Sequence, residues 1–178
     1  IGGLHSVDKP GSFYNDGLTV IIDVDFASYY PGIILNCGYA PTQMEDHFVD
    51  IYRDIVDQRL DAKSKGDMVT ANSLKIVINS GFGLLGSKYS KLYSPSLLIH
   101  VTLTGQLTLL MLIEQLSLAG IEVLSANTDG ILVKTTNAGI IELEEIVGQV
   151  ENSTGINLEW THFKSYHRRD VNNFCGIK

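Results

Sequence analysis

The stretches Asp23-Val-Asp-Phe-Ala-Ser-Tyr-Tyr-Pro-Gly-Ile-Ile34 and Ser125-Ala-Asn-Thr-Asp-Gly-Ile-Leu-Val-Lys134 decide the fold. Each places an aspartate beside an apolar run rich in β-branched residues and next to residues typical of turns, which is the pattern of a strand end. The two stretches lie far apart in the chain, so only the tertiary fold can bring Asp25 and Asp129 together. Carboxylates on adjacent strand ends suit Mg²⁺ ions that activate a hydroxyl and neutralise a triphosphate.

The hydrophobic pattern predicts an α+β fold with helices packed on one face of an antiparallel sheet. Two helices, from Gln43 to about Lys65 and from about Thr70 to Phe82, would form a short hairpin broken at Gly66-Asp67. The other predicted elements are a strand at 18–25, a turn at 30–32, a long helix from Ser94-Pro95 to Gly120, strands at 121–125 and 130–135, a helix at 138–152, and strands at 158–163 and 171–177 that complete the sheet.

Size and composition favour one compact unit, since 178 residues can bury a sizeable core. A hydrophobic content of 44% and a mean hydropathy of +0.12 argue against a disordered chain. The net charge of −7 counts against a generic nucleic-acid binder, although the basic residues are clustered, as at 164–169. Polar residues interrupt the apolar stretch 97–118, so we expect a buried amphipathic helix there rather than a membrane span.

Three short segments match known motifs in one order along the chain. Asp25-Phe-Ala-Ser-Tyr-Tyr-Pro-Gly-Ile-Ile34 matches D-x-x-S-L-Y-P-S-I-I, and Lys75-Ile-Val-Ile-Asn-Ser-Gly-Phe-Gly83 matches K-x-x-x-N-S-x-Y-G with Phe82 in place of tyrosine. Asn127-Thr-Asp-Gly130 matches D-T-D-S at its two central residues. The ordered set resembles motifs A, B and C of the family B DNA polymerases, most closely the phage enzymes with short fingers, and the resemblance covers nearly the whole chain.

The resemblance implies a polymerase palm formed by residues 1–41 and 89–178, with a fingers hairpin at 42–88. It also implies template-directed nucleotidyl transfer from a dNTP to a primer 3′-hydroxyl, with Asp25 and Asp129 as catalytic ligands of two Mg²⁺ ions. The alternative for both aspartates is the common role of capping a turn.

Two neighbouring polar residues bear on this metal site. Asn127 stands where motif C has its first aspartate and brings no charge. Asp23 lies two residues before Asp25, on the same face of the strand. It is either an auxiliary ligand or a solvated, hydrogen-bonded carboxylate.

A second group of residues is implied to bind the dNTP. Lys75 and Asn79 share one helix face, and Arg59 and Lys63 are likewise four residues apart on the preceding helix. Each pair taken alone would be a solvated helix face. Tyr30 matches the steric-gate tyrosine that excludes a ribose 2′-hydroxyl, with a buried core aromatic as its alternative. The implied dNTP site consists of Ser28, Tyr29, Tyr30, Arg59, Lys63, Lys75 and Asn79, although Tyr29 replaces the usual leucine and suits packing better.

A third group is implied to bind template and primer. Asn172-Asn173-Phe174 is the nearest match to the primer-binding K-x-Y motif of the family, and it lacks the lysine. Arg168 and Arg169 would take over the phosphate contact, which is electrostatic and independent of sequence. Gly81 and Gly83 would let the nascent base pair approach the helix, the alternative being ordinary helix-end glycines. The set is Gly83, Arg168, Arg169, Asn172 and Phe174.

We therefore expect the palm and short fingers of a family B DNA polymerase, with primer–template DNA and dNTP as partners. The exonuclease and thumb domains of the full-length enzyme would lie outside this chain, which alone would bind DNA weakly. Two alternatives stay open. Asn127 and Gly130 suit a catalytically degenerate, polymerase-like module that binds nucleic acid or protein. A palm-type nucleotidyl cyclase would not need the helix with Lys75 and Asn79.

The expected location is the cytoplasm of a bacterial or phage-infected cell, without a membrane partner. The first residues carry neither the basic region nor the apolar segment of a secretory signal. Cys37 and Cys175 are too few for a disulfide scaffold, so we expect free thiols.

Overall fold

The computed structural model describes residues 2–44 and 47–178. The expected first fingers helix runs through Glu45 and Asp46, and that part of the prediction lies outside the described residues. The elements in chain order are β1 (Gly11–Tyr14), β2 (Thr19–Phe26), α1 (Tyr29–Asn36), α2 (His47–Ser64), α3 (Met68–Leu84), α4 (Pro95–Leu118), β3 (Glu122–Asn127), β4 (Gly130–Thr136), α5 (Gly139–Thr154), β5 (Leu158–Phe163), β6 (Ser165–Asp170) and β7 (Asn173–Ile177).

The chain forms two compact units, which corrects the expectation of one. The first unit contains the residues up to Tyr29 together with Thr104–Lys178, and the second is Tyr30–Leu103. The physical reason lies in α2 and α3, whose contacts are made mainly with each other. The domain boundaries expected after residues 41 and 88 both fall inside the second unit.

The first unit is built on a four-stranded antiparallel sheet in the order β3-β4-β2-β5. β2 is a central strand, and its apolar side chains at Ile21, Ile22, Val24 and Phe26 are buried. A strand with both neighbours in place has its backbone groups satisfied on both edges, so its register is firmly set. That register fixes where the aspartates of β2 lie.

A second, three-stranded sheet has the order β1-β6-β7. The prediction that the last strands complete the main sheet is therefore wrong for β7, while β5 does pair with β2. The chain leaves the main sheet at Lys164, whose N–H donates to Ile177 O at 2.6 Å. Neither β1 nor β6 was predicted. The β6 segment Ser165-Tyr-His-Arg-Arg-Asp170 is mostly polar and lacks the alternation that marks a strand.

The expected turn at 30–32 is also wrong, because these residues form the first turn of α1. Ser28 has φ +54°, and this left-handed residue bends the chain from β2 into the helix. Pro31 fits in the first helical turn, where the missing N–H would have no helical acceptor.

α2 and α3 form the predicted hairpin in the second unit. Gly66, with φ +77°, follows the end of α2, and Asp67 accepts a hydrogen bond from Thr70 N at 3.1 Å as the N-cap of α3. The glycine tolerates the left-handed backbone and the aspartate satisfies a free N–H of the next helix. The break predicted at Gly66-Asp67 is thus present, with each residue in the role typical of its type.

Tyr52 holds the two helices of the hairpin together. Its buried ring stacks on Phe48, and its hydroxyl donates to Ile78 O at 2.7 Å. A Cβ added to Gly81 would lie 3.0 Å from Tyr52 Cε2. The absence of a side chain at Gly81 therefore lets the two helices pack closely around the Tyr52 ring. The sequence pattern assigns Gly81 to the approach of a nascent base pair, whereas its contact with Tyr52 gives it a packing role.

α4 is the longest helix, and one of its faces is buried through Val101, Leu109, Leu112 and Leu116. The expected amphipathic character is only partly present, because other apolar side chains of the helix are exposed. These exposed side chains are Leu103, Leu107, Leu110, Met111 and Leu118. By length and composition α4 could cross a membrane, a test that core helices also pass, and it is the one such helix in the described ranges.

Substituting Gly81 by alanine tests the packing of the hairpin. The added methyl group meets a Tyr52 ring that its own hydrogen bond holds in place, so we expect a loss of about 1–3 kcal/mol in the free energy of unfolding. Urea denaturation followed by circular dichroism measures the change.

Gly83→Ala in the same helix is the matched control, because nothing lies within 4 Å of its added Cβ. It should be neutral or stabilise by roughly 0.5–1 kcal/mol, since alanine favours helices. Equal effects of the two substitutions would contradict the packing role of Gly81.

Candidate active site

The two aspartates predicted to be catalytic lie at adjoining positions of the main sheet. Asp25, near the end of β2, is opposite Gly130, the first residue of β4. Asp129 occupies the turn between β3 and β4, and its carbonyl accepts a hydrogen bond of 2.8 Å from Phe26 N. The backbone of Asp129 is thus tied to the residue that follows Asp25. Both carboxylates belong to the first unit.

Gly130 leaves room for the carboxylate of Asp25. A Cβ added to Gly130 would lie 2.7 Å from Asp25 Oδ1 and 3.3 Å from Val24 O. Motif C has serine at this place, and a serine here would force the carboxylate or the strand to move. The departure from the motif therefore has a steric reason in this chain.

A small cavity of about 190 Å³ opens over these residues. Its carboxylates are Asp23, Asp25 and Asp129, and Phe174 lines it from β7. The remaining lining residues are Ser125, Asn127, Gly130, Leu132, Tyr166 and Val171. A larger cavity of about 470 Å³ lies between the end of α4 and β3, but Glu122 is its single titratable lining residue among those described. The smaller cavity, which is lined by three carboxylates, is therefore the candidate site.

Negative charge is crowded in this cavity. Burial, and then the charge of Asp129, raise the pKa of Asp23 to about 6, although Lys178 acts in the opposite direction. Burial also raises the pKa of Asp129. The pKa of Tyr166 is raised to about 12, first by burial and then by the charges of Asp23 and Asp8. A bound cation would relieve this repulsion.

The side chains of the cavity suit Mg²⁺ by their ligand type, but they are too few to complete its coordination. Carboxylate oxygens are the ligands that Mg²⁺ prefers, and Asp25 and Asp129 supply them from neighbouring backbone positions. No group of three His, Cys, Asp or Glu side chains in the described ranges could hold a metal ion by itself. Mg²⁺ in nucleotide enzymes usually takes one or two carboxylates and completes its shell with water and phosphate oxygens. A site of that open kind suits these residues.

Asn127 has a structural partner set that an aspartate could not reproduce. Its Nδ2 lies 3.4 Å from both Val171 O and Asn172 Oδ1, and its Oδ1 accepts from Thr128 Oγ1 at 3.1 Å. Only an amide can donate to the first two oxygens while accepting from the hydroxyl. The side chain thereby connects the β3–β4 turn with the segment between β6 and β7.

The residues predicted to bind dNTP fall mostly in the second unit. Lys75 and Asn79 are exposed on α3, and Arg59 and Lys63 lie on α2. Ser28 is exposed in the first unit, immediately before α1. The nucleotide-binding role of these residues stays a prediction.

Tyr30 stacks on Phe82, with ring centroids 4.3 Å apart and an angle of 18° between the rings. Motif A and motif B therefore meet through their aromatic residues inside the second unit. The contact gives Phe82 a role that needs only the ring, which is consistent with the loss of the tyrosine hydroxyl at this position.

Tyr29 has a packing role, and its side chain has no surface to offer a nucleotide. It is 2% exposed, its ring stacks on Phe26 at 4.3 Å, and its hydroxyl donates to Gly105 O at 2.7 Å. The dNTP-binding prediction for this side chain is corrected accordingly. The Tyr29 hydroxyl thus has an acceptor in α4, which a leucine at this position could not use.

Arg168 lies inside the first unit and is not available to a DNA phosphate. Its Nε donates to Lys9 O at 3.0 Å and its Nη1 to Leu124 O, while the guanidinium lies 5.0 Å from the centre of the Phe13 ring. Nη1 is also 3.4 Å from the buried carboxylate of Asp8. The primer-binding prediction for Arg168 is thus corrected to a structural role.

The other predicted primer residues keep exposed side chains. Arg169 is exposed, and its Nε lies 3.1 Å from Asp170 Oδ2. Asn172 is exposed in the turn between β6 and β7. Phe174 stacks on Tyr166 and lines the carboxylate cavity. Sequence reasoning missed Tyr166 and Asp8, because neither belongs to a motif and their partners come from distant parts of the chain.

Two known proteins are similar to this chain in sequence or in fold. No protein-family model matches the chain. It is 24% identical over 193 residues to DNA polymerase 1 of Sulfurisphaera ohwakuensis, an alignment that covers 86% of this chain and 21% of that protein. It is also similar to the solved structure of the family B DNA polymerase of the archaeon Pyrobaculum calidifontis, with a TM-score of 0.73 and 18% identity over 99% of this chain and 27% of that one.

The likeness confirms the α+β fold predicted from the sequence. The chain spans only about a fifth to a quarter of the length of these relatives. Its fold therefore corresponds to one segment of each of these longer relatives.

Replacing Asp23 by asparagine tests the crowding of charge. The pKa of Asp23 is raised in the folded state, so protonation of this group stabilises the folded wild type fully below about pH 4. That stabilisation is lost as the pH rises through about 6. Asp23→Asn should reduce that loss by about 1–2 kcal/mol.

Urea denaturation in EDTA at pH 4, 5, 6 and 7 measures the change for Asp23→Asn. Glu144→Gln, at an exposed position of α5, is the matched control for the charge change. A wild type and an Asp23→Asn variant with parallel pH profiles would show that the crowding has no energetic consequence.

Arg168→Met and Arg169→Met distinguish an internal arginine from an exposed one. Removal of the Arg168 guanidinium leaves Asp8 buried without its cation, and we expect a loss of roughly 2–4 kcal/mol in the free energy of unfolding. Arg169→Met should change it by less than about 0.5 kcal/mol. Thermal and urea denaturation measure both, and comparable stabilities would remove the structural role given to Arg168.

Proposed function

We infer that the chain, whose fold is that of a segment of the family B DNA polymerases, forms the catalytic core of a DNA-directed DNA polymerase. The supporting observation is the placement of Asp25 opposite Gly130 with Asp129 tied by its carbonyl to Phe26. Two carboxylates presented from adjoining strand ends into one cavity are the arrangement that metal-assisted nucleotidyl transfer needs.

The reaction is attack of a primer 3′-oxygen on the α-phosphate of a dNTP, with pyrophosphate as leaving group. Asp25 and Asp129 would hold two Mg²⁺ ions, which would lower the pKa of the 3′-hydroxyl and neutralise the triphosphate. Gly130 keeps the space in which the Asp25 carboxylate lies, and the sheet fixes the backbone of both ligands. Asp23 adds negative charge to the same cavity and so strengthens its attraction for cations.

For the cationic residues and Tyr30 of the second unit we propose nucleotide binding and a steric gate. Lys75 with Asn79 on α3, and Arg59 with Lys63 on α2, bind the triphosphate as charged and hydrogen-bonding groups on helices. The Tyr30 ring, supported by its stacking on Phe82, excludes a ribose 2′-hydroxyl.

Primer and template contact the exposed residues near the cavity and on the fingers. Phe174 offers an aromatic face to a primer nucleotide, and Arg169 and Asn172 reach its phosphates. Gly83, around which an added Cβ would find open space, lets the template strand pass α3.

The greater length of the relatives supports the proposal that a thumb domain and an exonuclease domain belong to the full-length protein, so that this chain alone binds primer–template weakly and does not proofread. We assign the protein to the phage-type enzymes with short fingers, acting in the cytoplasm of a bacterial or phage-infected cell. The proposal of this subclass rests on the hairpin of α2 and α3, whose helices have 18 and 17 residues.

Two of the three features that suggest a degenerate module have a structural explanation, the third being the lysine missing from the primer-binding motif. Asn127 and Gly130 are the departures that suggest decay of motif C. Gly130 makes room for Asp25, and Asn127 connects the turn with Val171 and Asn172. Both departures thus have a structural reason that leaves Asp25 and Asp129 in place.

Primer extension by the 178-residue chain tests the proposal, at low salt with Mg²⁺ and excess protein. Asp129→Asn and Asp25→Asn should each reduce extension by roughly 100-fold or more, because each removes a metal ligand. Glu144→Gln, an exposed change of the same charge, should leave it unchanged. Tyr30→Ala should raise incorporation of ribonucleotides relative to deoxynucleotides.

The outcomes separate the alternatives. Extension that survives Asp129→Asn would contradict the proposed site. If wild type fails to extend but binds dNTP with Mg²⁺ in a manner that depends on Asp129, the site is intact and the DNA grip lies elsewhere in the protein. If neither extension nor binding occurs, the degenerate module is favoured, and a cyclic product formed without DNA would favour the cyclase.

A further inference from the structure

The N-terminal residues 3–8, called the strap below, run beside β3, at the edge of the main sheet. Ser6 N donates to Ala126 O at 2.9 Å, and Ala126 N donates back to Ser6 Oγ at 2.9 Å. One residue further along, His5 forms an isolated antiparallel bridge with Asn127. The strap therefore follows β3 up to the turn that carries Asp129.

The strap contacts Thr128, the residue before Asp129. Thr128 N donates to Leu4 O at 2.7 Å, and Thr128 Oγ1 lies 3.4 Å from His5 Nε2. Gly3 packs directly against the threonine, since a Cβ added there would lie 2.7 Å from Thr128 Oγ1 and 2.8 Å from its Cγ2. Hydrogen bonds and close packing thus act on the same residue.

Thr128 needs such support because its backbone is strained. It has φ +57°, a left-handed conformation that β-branched residues rarely adopt. The conformation of Thr128 sets the direction of the next residue, and Asp129 is then fixed on its other side by the bond from Phe26 N. The orientation of the Asp129 carboxylate accordingly depends on what holds Thr128.

Asp8 anchors the other end of the strap to β3. Its carboxylate accepts from Ser6 Oγ at 2.6 Å and from Ser125 Oγ at 2.5 Å, and it forms the buried ion pair with Arg168. The side chain of Asp8 is 3% exposed. A buried network with these partners leaves the strap little freedom to slide along β3.

We propose that the strap is a positioning element for Asp129. Gly3 and Leu4 hold Thr128 in its left-handed conformation, and Thr128 aims the carboxylate of Asp129 into the cavity. None of the three polymerase motifs includes these residues. The inference rests on the proposed function for the role of Asp129 as a metal ligand, whereas the hold on Thr128 stands on geometry alone.

Gly3 of the strap and Gly2, the residue before the strap, offer a matched pair of variants. Gly3→Ala places a methyl group against Thr128, while Gly2→Ala adds the same group where nothing lies within 4 Å. Gly3→Ala should weaken binding of Mn²⁺, measured by the electron paramagnetic resonance signal of free Mn²⁺, by roughly tenfold or more. Gly2→Ala should match wild type, and both variants should keep the far-ultraviolet circular dichroism of the wild type.

A rescue variant separates positioning from general damage. In Gly3→Ala/Thr128→Gly the threonine side chain is gone and glycine adopts the left-handed backbone without strain. The double variant should recover most of the Mn²⁺ affinity that Gly3→Ala loses. Equal Mn²⁺ affinities for Gly2→Ala and Gly3→Ala, or a double variant as weak as Gly3→Ala, would overturn the proposal.

A second readout does not depend on metal. Hydrogen exchange of the Thr128 amide, which donates to Leu4 O, and the ¹³C resonance of the Asp129 carboxyl should both change in Gly3→Ala and not in Gly2→Ala. If wild type shows no Mn²⁺ binding that depends on Asp129, the proposed function fails while these spectra still decide the hold on Thr128. Identical spectra for the two variants would overturn that hold.

Discussion

The antiparallel pairing of β2 with β4 is the constraint on which the candidate site depends. It sets Asp25 opposite Gly130 and lets Phe26 N bind the carbonyl of Asp129, so two residues far apart in the chain share one cavity. A one-residue slip would turn Asp25 to the other face of the sheet. The buried side chains of β2, among them Ile22 and Val24, oppose such a slip because they would become exposed.

Crowded negative charge is the second determinant of the site. Burial raises the pKa of both Asp23 and Asp129, and the charge of Asp129 adds to the rise of the Asp23 pKa. This arrangement reduces stability near neutral pH and increases attraction for a divalent cation. The same acidity explains why a net charge of −7 does not argue against nucleotide chemistry here, because part of that charge lies in the site.

The roles of several residues depend on which distant residues they contact, and the pattern of a single sequence does not give those contacts. The C-terminal basic cluster predicts two phosphate-binding arginines, but Arg168 binds Asp8 inside the unit while Arg169 stays exposed. Tyr29 and Tyr30 are neighbours in motif A, yet the first packs on Phe26 and the second on Phe82. The polar strand β6 was likewise missed, because its pairing with β1 and β7 stabilises it more than any pattern of its own.

The sequence by itself determined the α+β class, the helical hairpin, the long helix and the order of the three motifs, because hydrophobic period, helix caps and turn residues are local properties. Only the tertiary structure decided the separate second sheet, the inward role of Arg168 and the hold of residues 3–8 on Thr128. The physical reason is that each of these depends on a hydrogen bond, ion pair or steric contact between residues far apart in the chain, and such contacts leave no mark on the local pattern of either partner.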